Sequence, residues 1–377
     1  MKIAMFVPSL FSQGAEYVSA TMARGLSVAG YDVDVVVSAI HTELVKTCND
    51  RRPFSLSDKI RLVEMPFKRA RFSIWCLRKY ILEAQPDYFI CNAGQYTFPL
   101  AAANRSLPSN RRTKIIHVEH GNGGGVDEIG NETFSRRGLF SRIRDKCMGM
   151  IDAIFTVNSG ARIAINKITG YPLSRIFVVY NPAIDAITEY KINLPPQHKW
   201  LKDKALPVFV AAGALTGVKN FTLLIDAFAK VVELKDCRLV IFGEGPLRAE
   251  LEKQIRDLRL TDRIDLPGYS DQLPAEINAS TGFVLSSDYE SFSIVLVEAM
   301  FAGVPIVSTE ALFGPKEILC NGKYGDIVLR RNVEKLAQGM LNVLNGKGRS
   351  ATRESIKGYR VENIVDRYIA AFKQIGR

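Results

Sequence analysis

Two glutamates, Glu290 and Glu298, stand eight positions apart in the run Ser287-Asp288-Tyr289-Glu290-Ser291-Phe292-Ser293-Ile294-Val295-Leu296-Val297-Glu298. The run reads as strand end, turn, then helix, stopped by Gly303 and Pro305 before a strand over 304–308. At a helical rise, eight residues part the two carboxylates by roughly 12 Å. That is the reach from the hexose to the ribose of a sugar nucleotide. A helix start between them offers free N–H groups and a positive dipole end to a diphosphate. One carboxylate can then hold sugar hydroxyls and the other ribose hydroxyls. Lys219 follows a glycine-bearing turn after a strand over 208–212, at the strand end where open α/β sheets bind ligands. A fixed cation there meets charge that develops on a departing diphosphate. The plain alternative is a pair of surface acids and a solvated lysine, which isolated residues of these types usually are.

Such groups must be positioned by a scaffold, and the chain supplies one. Short Val/Ile/Phe-rich runs at 3–7, 33–38, 88–91, 115–119, 153–157, 208–212, 238–242, 282–286 and 304–308 alternate with helical patterns. Runs this apolar imply parallel strands covered on both faces, in two α/β sheets. The turn-rich stretch from Asn181-Pro182 through Pro195-Pro196 to Pro207 has no sustained period and marks the connection between them. The expected organisation is a first domain over 1–183, a linker over 184–206, a second domain over 207–358 and a terminal helix within 359–377.

Bulk properties narrow the class. The 377 residues are 47% hydrophobic and 24% charged, an ordinary globular balance. Pro8 ends the opening apolar run too early for a signal peptide, and no apolar stretch reaches the roughly 20 residues needed to span a bilayer. Cys48, Cys76, Cys91, Cys147, Cys237 and Cys320 are scattered without metal-like spacing, which fits free thiols in an intracellular chain. Of the net charge of +11, residues 1–183 carry +9, from 24 lysines and arginines against 15 acids.

The run around Glu290 and Glu298 resembles the signature of the retaining glycosyltransferases of family 4. Gly213-Ala214-Leu215-Thr216-Gly217-Val218-Lys219-Asn220 resembles a second family stretch, Gly243-Glu244-Gly245-Pro246 a third, and Gly314-Pro315-Lys316-Glu317 the closing loop. The likeness is strong over the C-terminal half and weaker before it. It implies the GT-B architecture, two Rossmann-like domains with an acceptor in the first, a nucleotide sugar in the second and a last helix returning to the first. It implies donor contacts from Gly213, Lys219, Asn220, Gly243, Gly245, Glu290, Ser291, Phe292, Ser293 and Glu298, with Glu290, Lys219 and His120 at the reacting centre. Gly14, in a glycine loop after the first strand, and His120-Gly121 belong on the acceptor side; His117 is assigned to structure. By the same resemblance the donor is a nucleotide diphosphate sugar, UDP favoured over GDP, and neither cofactor nor metal is bound. Asp32-Val33-Asp34 mimics the metal triplet of another glycosyltransferase architecture, but it opens the second strand and is read as structural.

Two departures stand out. Ala214 occupies the place of the family's usual arginine, with Lys316 as a candidate to compensate, and Ser291-Phe292-Ser293 replaces the usual Gly-Phe-Gly. A helix over 67–81 places Phe67, Ala70, Ile74, Leu77 and Ile81 on one arc, and Lys68, Arg71, Phe72, Trp75, Arg78 and Lys79 on the other. Aromatics among cations suit an anionic membrane surface, and a second basic stretch runs over 136–146. No nucleic-acid recognition module is present. The expectation is a cytoplasmic enzyme held peripherally at the inner face of the membrane. It would pass a hexose or N-acetylhexosamine, with retention, to a lipid-linked or membrane-proximal saccharide in bacterial surface polysaccharide assembly. A sugar-nucleotide epimerase on the same fold, or a nucleotide-binding scaffold that has lost catalysis, are the alternatives.

Overall fold

The computed structural model describes residues 1–7, 15–38, 60–67, 73–121, 148–203 and 205–376. It divides into two compact units, one ending at Pro182 and resumed from Val361, the other running Ala183–Arg360. The first contains β1 (Lys2–Val7), α1 (Ala15–Val28), β2 (Asp32–Ser38), β3 (Ile60–Met65), α2 (Ser73–Ala84) and β4 (Tyr88–Cys91). α3 (Gly94–Arg105), β5 (Lys114–Glu119), β6 (Ala153–Thr156), α4 (Ser159–Thr169) and β7 (Ile176–Val178) follow. The strands form one sheet in the order β3-β2-β1-β4-β5-β6-β7, every pair parallel.

Because side chains alternate across a strand, β1 feeds two cores. Ile3, Met5 and Val7 join Met22 and Leu26 of α1 on one face, while Ala4 and Phe6 join Leu77, Ile81 and Leu100 on the other. This is why the strands read as continuous apolar runs.

The second unit contains α5 (Ala186–Lys191), α6 (Lys199–Asp203), β8 (Val208–Ala212), α7 (Phe221–Val232), β9 (Arg238–Phe242), α8 (Arg248–Asp257) and β10 (Ile264–Gly268). It continues through α9 (Leu273–Asn278), β11 (Gly282–Leu285), β12 (Tyr289–Glu290), α10 (Ile294–Ala302), β13 (Ile306–Thr309) and β14 (Leu312–Phe313). α11 (Gly314–Ile318), β15 (Asp326–Val328) and α12 (Val333–Leu344) complete it. Its sheet runs β10-β9-β8-β11-β13-β15, with β12 and β14 as a separate two-stranded ribbon. After β8 the chain winds outward through β9 and β10, then returns to the other side of β8 with β11. The order therefore reverses between β8 and β11, and the crevice beyond their carboxyl ends is the ligand position of a doubly wound sheet.

The last helix, α13 (Val361–Ile375), belongs to the first unit. Val361, Ile364, Val365, Tyr368 and Phe372 recur at three and four residues and bury one stripe against the core that contains α1. Each such side chain contributes about 1.5–3 kcal/mol when fully buried. Phe372 stacks on Tyr88 at 4.2 Å, and Tyr368 meets Phe155 edge-on at 4.9 Å. At Gly25 a Cβ would lie 2.4 Å from Val361 Cγ1, so glycine is what lets α1 and α13 approach.

Two expectations need correction. The stretch expected as an interdomain linker carries α5 and α6, and its described residues cluster with the second unit. The buried Glu276 carboxylate accepts the N–H groups of Gln197 and His198, and Asn278 donates to the carbonyl of Ile192. The basic helix lies over Ser73–Ala84, so Phe67 precedes it and packs instead with Phe6 and Tyr96. No helix among the described residues is long and apolar enough to cross a membrane.

Candidate active site

Backbone closeness builds the floor of the site. The N–H of Gly213 donates to Phe242 O at 3.0 Å and that of Gly243 to Gly268 O at 2.8 Å, tying together the ends of β8, β9 and β10. Gly243 has φ +140°, and a Cβ there would fall 1.9 Å from Gly213 O; at Gly245 it would fall 2.6 Å from Leu215 O. Only glycine permits these approaches. Glu244, between them, is gripped by Arg248 through two nitrogens at 2.8 and 2.9 Å, and those hydrogen bonds hold its carboxyl below the usual range.

Lys219 and Glu290 meet over the reversal point. Lys219 ends the single turn Gly217–Lys219 after β8, and Glu290 sits in the ribbon that follows β11. Lys219 Nζ is 2.5 Å from Glu290 Oε1, and Ser287 Oγ donates to the same oxygen at 2.9 Å. The carboxylate is buried, so it is the paired and hydrogen-bonded kind of charge that an interior accepts. Asn220 takes the left-handed conformation, φ +48°, and its side chain accepts from Leu223 N to cap α7. Asn220 therefore both turns the chain after Lys219 and starts the helix.

Ser291-Phe292-Ser293 leads into α10, with Ser293 at its N-cap. Ser293 Oγ is buried and has no hydrogen-bond partner among the described residues. The free N–H groups of this helix start and that hydroxyl are unspent donors for an anion. The closing loop presses on the same segment: a Cβ on Gly314 would be 3.0 Å from Ser291 O, and Phe313 before it holds φ +77°. Left-handed backbone at a phenylalanine costs of order 1–3 kcal/mol and concentrates at functional sites.

Glu298 lies on α10, five residues into the helix. The helical rise applies only from Ile294, since Glu290 belongs to a strand, so the two acids do not line one helix axis as the spacing predicts. The Glu298 carboxyl is pushed up to about 8 by burial, with Asp185 adding to the rise and Lys191 opposing it. Lys316 pairs with Glu310 at 2.6 Å, outside the Lys219 pair. Sequence reasoning missed Asp288 and Arg331: Asn220 Nδ2 donates to Asp288 Oδ1 at 3.3 Å, and Arg331 Nε to Asp288 Oδ2 at 2.9 Å. Asp288 stands two residues before Glu290, a signal in itself; nothing in the sequence ties Arg331 to this place.

In the first unit, the sheet order reverses at β1 and β4. Asn92 follows β4, and its Oδ1 lies 3.3 Å from Nε2 of His120, which follows β5. Burial pulls His120 down to about 4, leaving it a neutral imidazole at physiological pH. His117 Nδ1 is 2.9 Å from Thr97 Oγ1 and its Nε2 3.5 Å from Glu119, whose other oxygen accepts the Gly121 N–H at 2.9 Å. Burial works to raise the Glu119 pKa, but His117 and the Gly121 bond outweigh it. Asp34 bonds Arg61 and Tyr80, a structural knot. Gly14, Lys68, Arg71 and Phe72 lie outside the described residues.

The "Glycosyltransferase Family 4" model matches residues 12–185, and the "Glycosyl transferases group 1" model matches residues 196–360. The chain carries the two domains of a GT-B glycosyltransferase. The 196–360 segment lies within the second unit and contains the residues that the sequence leads one to expect at a donor. A glycosyltransferase from Rickettsia africae has the same fold, with TM-score 0.80 at 16% identity over 100% of this chain and 98% of that one. Anabaena HepE, solved with UDP and glucose, gives 0.69 at 18% over 100% and 98%. The poly(glycerol-phosphate) alpha-glucosyltransferase of Bacillus subtilis is 25% identical over 241 residues, 64% of this chain; the match spans only 33% of that protein's length.

Proposed function

We propose that this GT-B chain transfers a hexose or N-acetylhexosamine from a UDP-linked donor to a saccharide or polyol-phosphate acceptor, with retention of anomeric configuration. The observation that carries the reading is the Lys219–Glu290 pair, 2.5 Å apart at the reversal point beside the start of α10. When a donor enters, Glu290 exchanges its lysine for sugar hydroxyls, and Lys219 turns to the diphosphate together with the N-terminal N–H groups of α10 and Ser293 Oγ. Glu298 takes the ribose hydroxyls. The bond from C1 of the sugar to the β-phosphate oxygen breaks as the acceptor oxygen bonds C1 on the same face, and the departing phosphate receives the acceptor's proton. The positive charge this step needs comes from Lys219 and the helix end, so the reading requires no metal. His120, neutral and donating its Nε2–H to Asn92 Oδ1, keeps Nδ1 to accept from a hydroxyl rather than to pair with charge.

The UDP and glucose bound by Anabaena HepE and the phosphate-rich acceptor of the Bacillus relative support this choice of substrates. An acceptor carried on lipid at the inner membrane face fits the exposed Trp75 of α2, with Arg78 and Lys79 beside it. The test is turnover of UDP-glucose, UDP-galactose and UDP-N-acetylglucosamine against a panel of glycolipid and poly(glycerol phosphate) acceptors. In the active pairing, Lys219→Ala is expected to lose about 10²–10³ in kcat. Near-normal turnover in that variant removes Lys219 from the mechanism, and consumption of donor without acceptor, giving an isomer, would establish an epimerase instead.

A further inference from the structure

From the contacts of Asp288, and resting on the donor-site reading above, we infer that Arg331 is a positioning residue of that site: it neutralises Asp288 so that Lys219 stays available to the diphosphate. Asp288 is the hub on which the Lys219 turn hangs. Its N–H donates to Val218 O at 2.9 Å, its Oδ1 accepts from Asn220 Nδ2 at 3.3 Å, and Ser286 Oγ nearby donates to Lys219 O at 2.8 Å. The residues before and after Lys219 are thus both fixed by the strand-end segment that also presents Glu290.

This arrangement has an electrostatic cost. Asp288 and Glu290 put two buried carboxylates on a site that must receive a diphosphate. Lys219 and Arg331 offset them, so these four side chains sum to zero before the ligand arrives. Without Arg331, Asp288 keeps the Asn220 amide but loses its ion pair, the site becomes net negative, and the leftover charge both draws on Lys219 and repels phosphate. Arg331 also holds φ +58°, an unfavourable conformation for arginine, in the loop between β15 and α12. From that loop its Nε reaches Asp288 Oδ2 at 2.9 Å.

The experiment is calorimetric binding of UDP and of GDP to the whole chain, with steady-state kinetics and apo melting curves, for Arg331→Ala, Arg331→Lys, Asp288→Asn and the double variant. Arg331→Ala is expected to weaken nucleotide binding about tenfold, the size of losing a hydrogen bond to a charged group, and to raise KM more than it lowers kcat. Arg331→Lys should recover part of that loss. Adding Asp288→Asn to Arg331→Ala should recover most of it, because the charge needing compensation is gone; a purely structural brace would make the double variant worse than either single one. Wild-type affinity in Arg331→Ala, or a double variant no better than Arg331→Ala, overturns the inference while leaving the donor site intact. If the unaltered chain binds neither UDP nor GDP, the donor-site reading falls and this inference falls with it.

Discussion

Glu298 is an acid whose ionisation the fold opposes. Its carboxyl is pushed up to about 8, so between the ordinary 4.5 and that value it is protonated when folded and ionised when unfolded. The unfolded state then binds fewer protons, and stability falls as pH rises from 4.5 through 8. Glu298→Gln, uncharged throughout, should melt close to wild type near pH 5 and above it at pH 8.5, the gap widening steadily between. A ligand that offers hydroxyl donors reverses the preference by favouring the carboxylate. UDP binding at pH 7 should therefore release a proton, visible as a binding enthalpy that changes with the ionisation enthalpy of the buffer, and the glutamine variant should lose both that dependence and about tenfold in affinity. A pH-independent melting difference with buffer-independent heats would remove Glu298 from the ribose subsite. Lys219, Glu290 and the glycines could be singled out in the sequence because each lies next to a strand end or a turn. Arg331 could not, since its partner Asp288 is 43 positions away and only the fold carries the loop after β15, two strands from β11, to that carboxylate.

Elements reveal a similar rule at larger scale. The strand runs expected from the sequence correspond to the interior strands of both sheets, within a residue or two at the ends. The four main-sheet strands it left out, β3, β7, β10 and β15, are the four outer edges. An edge strand has one neighbour, so it needs less apolar character: β3 reads IRLVEM, and β10 contains Pro267, which an edge tolerates because the N–H that proline lacks would have no strand on that side to serve. The amphipathic stripe of α13 was legible for the opposite reason, since it is buried along its whole length. What the pattern could not announce is how closely α13 lies on α1. Gly25→Ala inserts a methyl into Val361, and overpacking of this kind costs about 1–3 kcal/mol. The variant should unfold at lower denaturant, and Val361→Ala in the same chain should return most of the loss by vacating the space. A silent Gly25→Ala would mean that the two helices lie farther apart and that α13 is held by its Tyr368 and Phe372 contacts alone.

At the scale of the molecule, charge is unevenly placed, with +9 of the +11 in residues 1–183. Net charge says nothing about fold but much about which surfaces attract. On α2 the buried Leu77 and Ile81 fix which side faces the core, and that leaves Trp75 77% exposed with Arg78 and Lys79 adjoining. A lone exposed tryptophan is costly in water and well matched to a headgroup layer, where its ring is half in the apolar region and its N–H in the polar one. The chain should therefore sediment with vesicles containing phosphatidylglycerol and not with neutral ones, and the fraction bound should fall at 1 M salt as screening shortens to about 3 Å. Arg78→Ala should lower partitioning about fivefold, the worth of one basic residue near an anionic leaflet. Lys79→Ala should matter less, because Glu83 already sits 3.8 Å from its ammonium one turn along. Trp75→Ala should weaken binding in high salt as well as low, since its share is burial rather than charge. Equal sedimentation with neutral and anionic vesicles, or none with either, would return α2 to the role of an ordinary solvated helix face and leave the acceptor to be a soluble polymer.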